Sequence, residues 1–155
     1  MPDWMSHILI GLIIVDIFNI RKKSLVLLGA LLPDLIAKFF LLFFYLGLSI
    51  KGISVGSFHT PVMCFLLSIL IAPLFKYNRL KTIFILNIGL LTHFLSDITM
   101  RHFTSGTRLF FPFSMQSYRI DLLWPEQSIY VLFLSFIIYI FIRIIKKFYI
   151  SRSEI

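Results

Sequence analysis

Five apolar stretches, each close to the length of a membrane-spanning helix, dominate this sequence. A bilayer core about 30 Å thick requires roughly 20 helical residues. The stretches run over Trp4–Ile20, Ser24–Ile50, Phe58–Phe75, Thr82–Ile98 and Gln127–Ile145. Of the 155 residues, 59% are apolar and 14% are charged, whereas about 25% of the residues of a soluble domain are charged. The sequence therefore predicts an all-α integral membrane protein, a helical bundle with about five transmembrane helices.

A single transmembrane domain over residues 1–155 is expected, because the length allows one domain of four to six spans. One long polar segment interrupts the apolar pattern. This segment runs over Thr99–Glu126 and contains prolines, a glycine and several serines, which are typical of a loop. Pro33 lies within the second stretch, and we expect it to break or kink that helix. The first stretch differs from a secretory signal, because Asp3 precedes it and a basic cluster follows it.

The basic residues predict the orientation, since cytoplasmic loops of membrane proteins carry an excess of Lys and Arg. If the basic cluster after the first span is inside, ten basic residues fall inside, four fall outside and Lys38 lies in a span. The ten are Arg21, Lys22, Lys23, Lys76, Arg79, Lys81, Arg143, Lys146, Lys147 and Arg152. We therefore expect the N-terminus outside and the C-terminus inside. The net charge of +8 is then mostly a topology signal, and nucleic acid is not an expected partner.

Ionisable residues within the spans form the second pattern, because such residues are costly in a bilayer and mark functional sites. On the predicted topology all four histidines lie near the outer ends of spans or in the outer loop: His7, His59, His93 and His102. His93 and Asp97 are four residues apart and project from one helix face. That pair can bind one metal ion, or Asp97 can bridge two. Asp3 and His7 repeat this spacing, and Asp34 lies deeper in the second span.

Other interpretations of these residues stay open on sequence alone. His93 and Asp97 can form a structural hydrogen bond, and His102 can be an ordinary interfacial histidine. Asp34 can instead form an ion pair with Lys38, four residues later.

Two arginines of the outer loop are candidates for substrate binding. Together with Ser105-Gly106-Thr107, Arg101 and Arg108 can clamp a phosphate group. The alternative is that they anchor the chain to lipid headgroups.

Several of these short motifs occur in an order that resembles a known family. They are His7, Leu31-Leu32-Pro33-Asp34, His59-Thr60, His93-x-x-x-Asp97 and Arg108-Leu109-Phe110-Phe111-Pro112. The order resembles the LexA-regulated, membrane-bound metal-dependent hydrolase family, which is in turn similar to zinc-dependent phospholipase C and P1 nuclease. The resemblance implies six metal ligands: His7, Asp34, His59, His93, Asp97 and His102.

The resemblance also implies a divalent metal cofactor, with zinc as the first choice, and a prokaryotic cytoplasmic membrane. On the predicted topology the site faces outward. The family pattern has an acidic residue where this chain has Ile36 and a His-Arg pair where it has Gly56-Ser57-Phe58. The last His-x-x-x-Glu pair of the soluble enzymes is missing from the sequence. We therefore expect one or two metal ions rather than three.

The leading functional hypothesis is a hydrolase that cleaves a phosphoester or ester of a lipid-like small molecule at the outer membrane face. The first ion would be held by His59, His93 and Asp97. The second would be held by His7 and Asp34, with Asp3 or a bridging Asp97. Asp34 and Asp97 are the expected catalytic carboxylates, since a metal ion with nearby carboxylates activates water.

Two other function classes compete with this hypothesis. The chain can be a metal ion or proton conduit in which Asp34 relays ions across the membrane. It can also be a non-enzymatic structural or regulatory membrane protein whose histidines are hydrogen-bonded internally. Membrane lipid is an expected partner under all three.

Overall fold

A computed structural model describes residues 3–47, 59–101 and 107–153 of the chain. Within these ranges the protein is helical, and its only β pairing consists of isolated bridges. The helices are α1 (Trp4–Ile17), α2 (Lys23–Tyr45), α3 (Pro61–Ile71), α4 (Arg79–Thr99) and α5 (Ser128–Ser153). Short 3-10 turns follow α3 (Ala72–Leu74) and precede α5 (Pro125–Gln127). The predicted all-α class is confirmed.

Three helices of the described part, α2, α4 and α5, are long and apolar enough to cross a membrane. The other two are shorter, with 14 residues in α1 and 11 in α3, or about 21 and 17 Å at 1.5 Å per residue. Prolines bound α3, because Pro61 opens it and Pro73 lies in the 3-10 turn that ends it. A helical membrane bundle is therefore present, and membrane crossing by α1 and α3 stays a prediction.

Helices α2 and α4 form the most closely packed pair. A Cβ atom at Gly29 of α2 would collide with the carbonyl oxygen of Leu86, and one at Gly89 of α4 would collide with that of Val26. Small residues let two helix backbones approach closely, and the resulting van der Waals contacts hold helices together in a membrane. These two glycines therefore set the distance between the helices that carry Asp34, His93 and Asp97.

Pro33 lies inside α2, and of the break or kink predicted at this position the break is not observed. The helix runs without interruption from Lys23 to Tyr45. Proline is tolerated in a membrane helix when neighbouring groups satisfy the backbone atoms that it frees. Pro33 has no amide hydrogen to donate to the Gly29 carbonyl four residues earlier. The carbonyl of the next residue, Ala30, receives a hydrogen bond from the His93 side chain at 2.7 Å.

The two ends of the bundle differ in character. The starts of α1, α3 and α5 and the ends of α2 and α4 form the loop end, where Ser96 contacts His7. The opposite helix ends form the basic end, where the Lys22 ammonium lies 3.8 Å from the centre of the Tyr77 ring. The loop end corresponds to the predicted outer side. The orientation in the membrane stays a prediction.

The predicted outer loop is described over residues 107–124 and folds back onto the end of α4. The amide of Ile120 donates to the Ile98 carbonyl at 2.9 Å, and that of Leu122 donates to the Thr99 carbonyl at 3.0 Å. These backbone bonds attach the loop to the helix turn that follows Asp97.

Candidate metal centre

Five side chains with metal-ligating atoms converge at the loop end of the bundle. They come from four segments: His7 from α1, Asp34 from α2, His59 from the residues before α3, and His93 and Asp97 from α4. All are buried or nearly so, with His59 the most exposed at 10%. Two trios have ligand atoms within 4.8 Å of one another: His7, His93 and Asp97, and Asp34, His59 and His93.

Asp97 connects the three histidines. Its Oδ1 lies 3.6 Å from Nε2 of His7, and its Oδ2 lies 3.3 Å from Nε2 of His59 and 3.2 Å from Nε2 of His93. Asp34 approaches His59 and His93 through Oδ1, at 3.5 and 4.0 Å. Two ligand atoms on one tetrahedral zinc ion, with bonds near 2.0–2.1 Å, are about 3.3 Å apart. The separations around Asp97 are therefore compatible with ligands of a shared cation.

The hydrogen bond to Ala30 fixes the tautomer of His93. Nδ1 of His93 lies 2.7 Å from the Ala30 carbonyl oxygen, which can only accept a hydrogen bond. Nδ1 must therefore carry the proton, and the neutral ring directs the Nε2 lone pair toward Asp97. Metal-binding histidines commonly donate their other ring N–H to a backbone carbonyl in this way.

His7 is oriented by Ser96, a residue that sequence reasoning missed. The Ser96 hydroxyl donates to the His93 carbonyl at 2.8 Å, so its oxygen accepts from Nδ1 of His7 at 3.1 Å. Nε2 of His7 then carries a lone pair, is buried, and has no hydrogen-bond partner among the described residues. The signal that could have revealed Ser96 is its position between His93 and Asp97, one turn after the histidine.

The contact between His59 and His93 brings two potential ligand nitrogens together. Their Nε2 atoms are 2.9 Å apart, and that of His93 already offers a lone pair. Without a cation, Nε2 of His93 must share a proton with His59 at 2.9 Å or with Asp97 at 3.2 Å. Nε2 of His7 still lacks a hydrogen-bond partner in the described part of the chain. A divalent cation would use all three nitrogens as ligands. The donor set of imidazoles and carboxylates fits zinc or a similar transition metal.

Local structure explains why these residues meet. The ring of His7 stacks on that of His93, with centroids 4.1 Å apart. His59 directly precedes Thr60, which is the N-cap of α3 and has an extended backbone. The Phe94 ring contacts the rings of both His59 and His93, with centroids 5.5 and 5.4 Å away.

Two alternatives raised by the sequence are not observed. Lys38 does not pair with Asp34, because its ammonium lies 3.8 Å from the centre of the Trp4 ring while Asp34 faces His59. Asp3 accepts hydrogen bonds from the amide and hydroxyl of Ser6 at 2.9 and 3.1 Å, so it serves as the N-cap of α1.

The predicted residues of the outer loop have different positions. His102, Ser105 and Gly106 lie outside the described residues. Arg101 is exposed, and its guanidinium carbon lies 4.0 Å from the centre of the Trp124 ring. Arg108 is half-buried and precedes Leu109, which lines an apolar groove.

This apolar groove lies between α3, α4 and the outer loop and has a volume of about 460 Å³. Its wall is largely apolar and includes Pro61, Leu90, Phe94, Ile98 and Leu109. Because Phe94 contacts both His59 and His93, the groove adjoins the histidine–aspartate cluster.

Comparison with known proteins identifies the family. The family model described as YdjM inner membrane protein matches residues 1–153. The chain belongs to the YdjM inner membrane protein family. No curated protein and no solved structure gave a significant match. The family description states a membrane location, which agrees with the apolar helices and is consistent with the LexA-regulated inner membrane proteins that the motifs resemble.

Proposed function

We propose that this member of the YdjM family is a membrane-bound, metal-dependent hydrolase. One observation carries the proposal: five ligating side chains from four segments are buried together, and two of the histidines direct an Nε2 lone pair inward. Burying these groups in a membrane bundle costs free energy unless they are compensated. A divalent cation, most simply zinc, would compensate them. One or two ions are expected.

Within this proposal the cluster residues have distinct roles. His7, His59, His93 and Asp97 would hold the metal, and Asp97 faces different histidines with its two oxygens. When bound, the ion supplies a Lewis acid that acidifies water and stabilises negative charge on the attacked group. Asp34 approaches the histidines through Oδ1 alone, and we assign its Oδ2 as the acceptor of the proton that the attacking water loses.

The groove beside the cluster supports a lipid-like substrate. An acyl chain can lie along the apolar wall while the phosphoester or ester reaches the histidines next to Phe94. A site with an apolar body and a few polar groups at one end is typical of amphiphile binding. Arg108, which precedes the groove residue Leu109, is the candidate to bind the anionic headgroup.

The direct test is the metal content of purified variants. We expect His93→Ala and Asp97→Asn to lose at least one bound ion per chain, because each removes a ligand shared by several partners. Elemental analysis of protein purified without chelator measures this. In the same preparations, release of product from a phospholipid in mixed micelles should fall by at least about 100-fold.

Asp16→Asn is the matched control, because Asp16 is also a buried carboxylate but lies at the basic end. This variant should retain metal and activity. Wild-type protein without metal would contradict the proposal and favour a structural role. Metal binding without hydrolysis, together with ion flux in vesicles that Asp34→Asn abolishes, would favour the conduit.

A further inference from the structure

A second cavity lies at the basic end, at the opposite end of the bundle from the histidine–aspartate cluster. Its volume is about 570 Å³, and it is lined by α1, the residues up to the start of α2 and the C-terminal half of α5. This volume is within the range of pockets that bind small molecules. Four basic side chains line it: Lys23, Arg143, Lys146 and Lys147.

Two of the four basic side chains contact polar side chains that also line the cavity. Asp16 of α1 is 5% exposed and lies 3.8 Å from the Arg143 guanidinium of α5. Lys146 of α5 donates to the Asn19 side chain at 3.3 Å. Among the described residues of the wall, four basic groups outnumber one carboxylate, so this lining has an excess of positive charge.

The rest of the wall is apolar, with Val15 and Ile20 from one side and Ile140 and Ile144 from the other. Helix α5 is apolar and little buried, with 6% of its most apolar segment inside the protein, so lipid chains can reach this wall. The positive-inside rule explains basic residues at this end. It does not explain a cavity in which a buried aspartate fixes one of them.

We propose that this cavity binds the headgroup of an anionic phospholipid. The phosphate group would lie among the basic side chains, and the acyl chains would follow the apolar surfaces of α1 and α5. Basic pockets between membrane helices recognise anionic headgroups through this combination of charge and apolar surface. The proposal is independent of the histidine–aspartate cluster and of the hydrolase function.

Ligand-induced thermal stabilisation tests the proposal, because a ligand that binds the folded state raises Tm with its concentration. Full-length protein in a non-ionic detergent is titrated with phosphatidylglycerol, and with phosphatidylcholine of the same chains. We expect saturable stabilisation by phosphatidylglycerol and little by phosphatidylcholine. Lys23→Gln combined with Lys147→Gln should weaken the apparent affinity about 25-fold, at roughly five-fold for each lysine.

The double variant Arg79→Gln, Lys81→Gln is the matched control. It removes the same charge from the same end, but neither residue lines the cavity. Affinity should be unchanged, and an equal loss would overturn the proposal in favour of general surface attraction. Among the described residues that line the cavity, Asp16 is the only acidic one. Asp16→Asn removes this negative charge and frees Arg143, so it should tighten binding at least about two-fold, whereas weaker binding would contradict the proposal.

Inorganic phosphate at the same concentration is the last arm of the test. We expect little stabilisation by phosphate, because the apolar wall contributes only to the binding of a lipid. A shift equal to that of phosphatidylglycerol would overturn the assignment of a lipid and leave free phosphate as the ligand.

Discussion

At the scale of single residues, Ser96 is the most informative side chain next to the histidine–aspartate cluster. It would contact no ion, yet its oxygen accepts a hydrogen bond from Nδ1 of His7 and so directs the Nε2 lone pair toward Asp97. Ser96→Ala should weaken metal affinity by about 10- to 100-fold with all ligands retained. Competition with a chelator of known affinity measures the change.

Thr92→Val is the matched control for Ser96→Ala. Thr92 is on the same helix, and its hydroxyl also donates to a carbonyl three residues earlier, at 2.7 Å. Removing that hydroxyl should leave the metal affinity unchanged. Equal losses in the two variants would show that the hydroxyl acts through helix α4 as a whole rather than through His7.

At the scale of helices, the contact between α2 and α4 positions the cluster. Alanine is favoured over glycine inside a helix by roughly 0.5–1 kcal/mol, yet Gly29→Ala and Gly89→Ala should each destabilise the protein by about 1–3 kcal/mol. The added Cβ meets the backbone of the opposite helix, so the helices must separate. Both the thermal midpoint and the metal affinity should fall, because Asp34 moves away from His93.

Gly11→Ala gives the comparison for these two variants. Its Cβ would meet the end of the Leu27 side chain at 3.2 Å, which can rotate away at small cost. A loss of stability at Gly11 equal to that at Gly29 would argue against backbone contact as the cause.

At the scale of the whole molecule, the predicted orientation can be tested with single cysteines. The native Cys64 is buried, so it should react little with a membrane-impermeant thiol reagent. Ser117→Cys, exposed in the outer loop, should react in intact cells. Ser24→Cys, exposed near the start of α2 at the basic end, should react only after the membrane is permeabilised. The reverse labelling pattern would place the histidine–aspartate cluster on the cytoplasmic side.

Sequence reasoning located the helices and most of the cluster because both depend on local pattern. Apolar length predicts spans, and the spacing of His93 and Asp97 fixes a shared helix face. The continuity of α2 through Pro33 could not be predicted, because a proline inside a helical pattern usually breaks or kinks the helix. The same holds for the partner of Asp34, since Lys38 is four residues away while His59 comes from a distant segment.

The dispersed origin of the cluster has a consequence for biosynthesis. His7 leaves the ribosome well before its partners His93 and Asp97, which follow about 90 residues later in the sequence. No ion can therefore be coordinated by the complete set until α4 has entered the membrane and packed against α1 and α2. Until then the polar groups of the early helices lack these partners. Under the proposed function, metal loading would therefore follow the packing of α4 against α1 and α2.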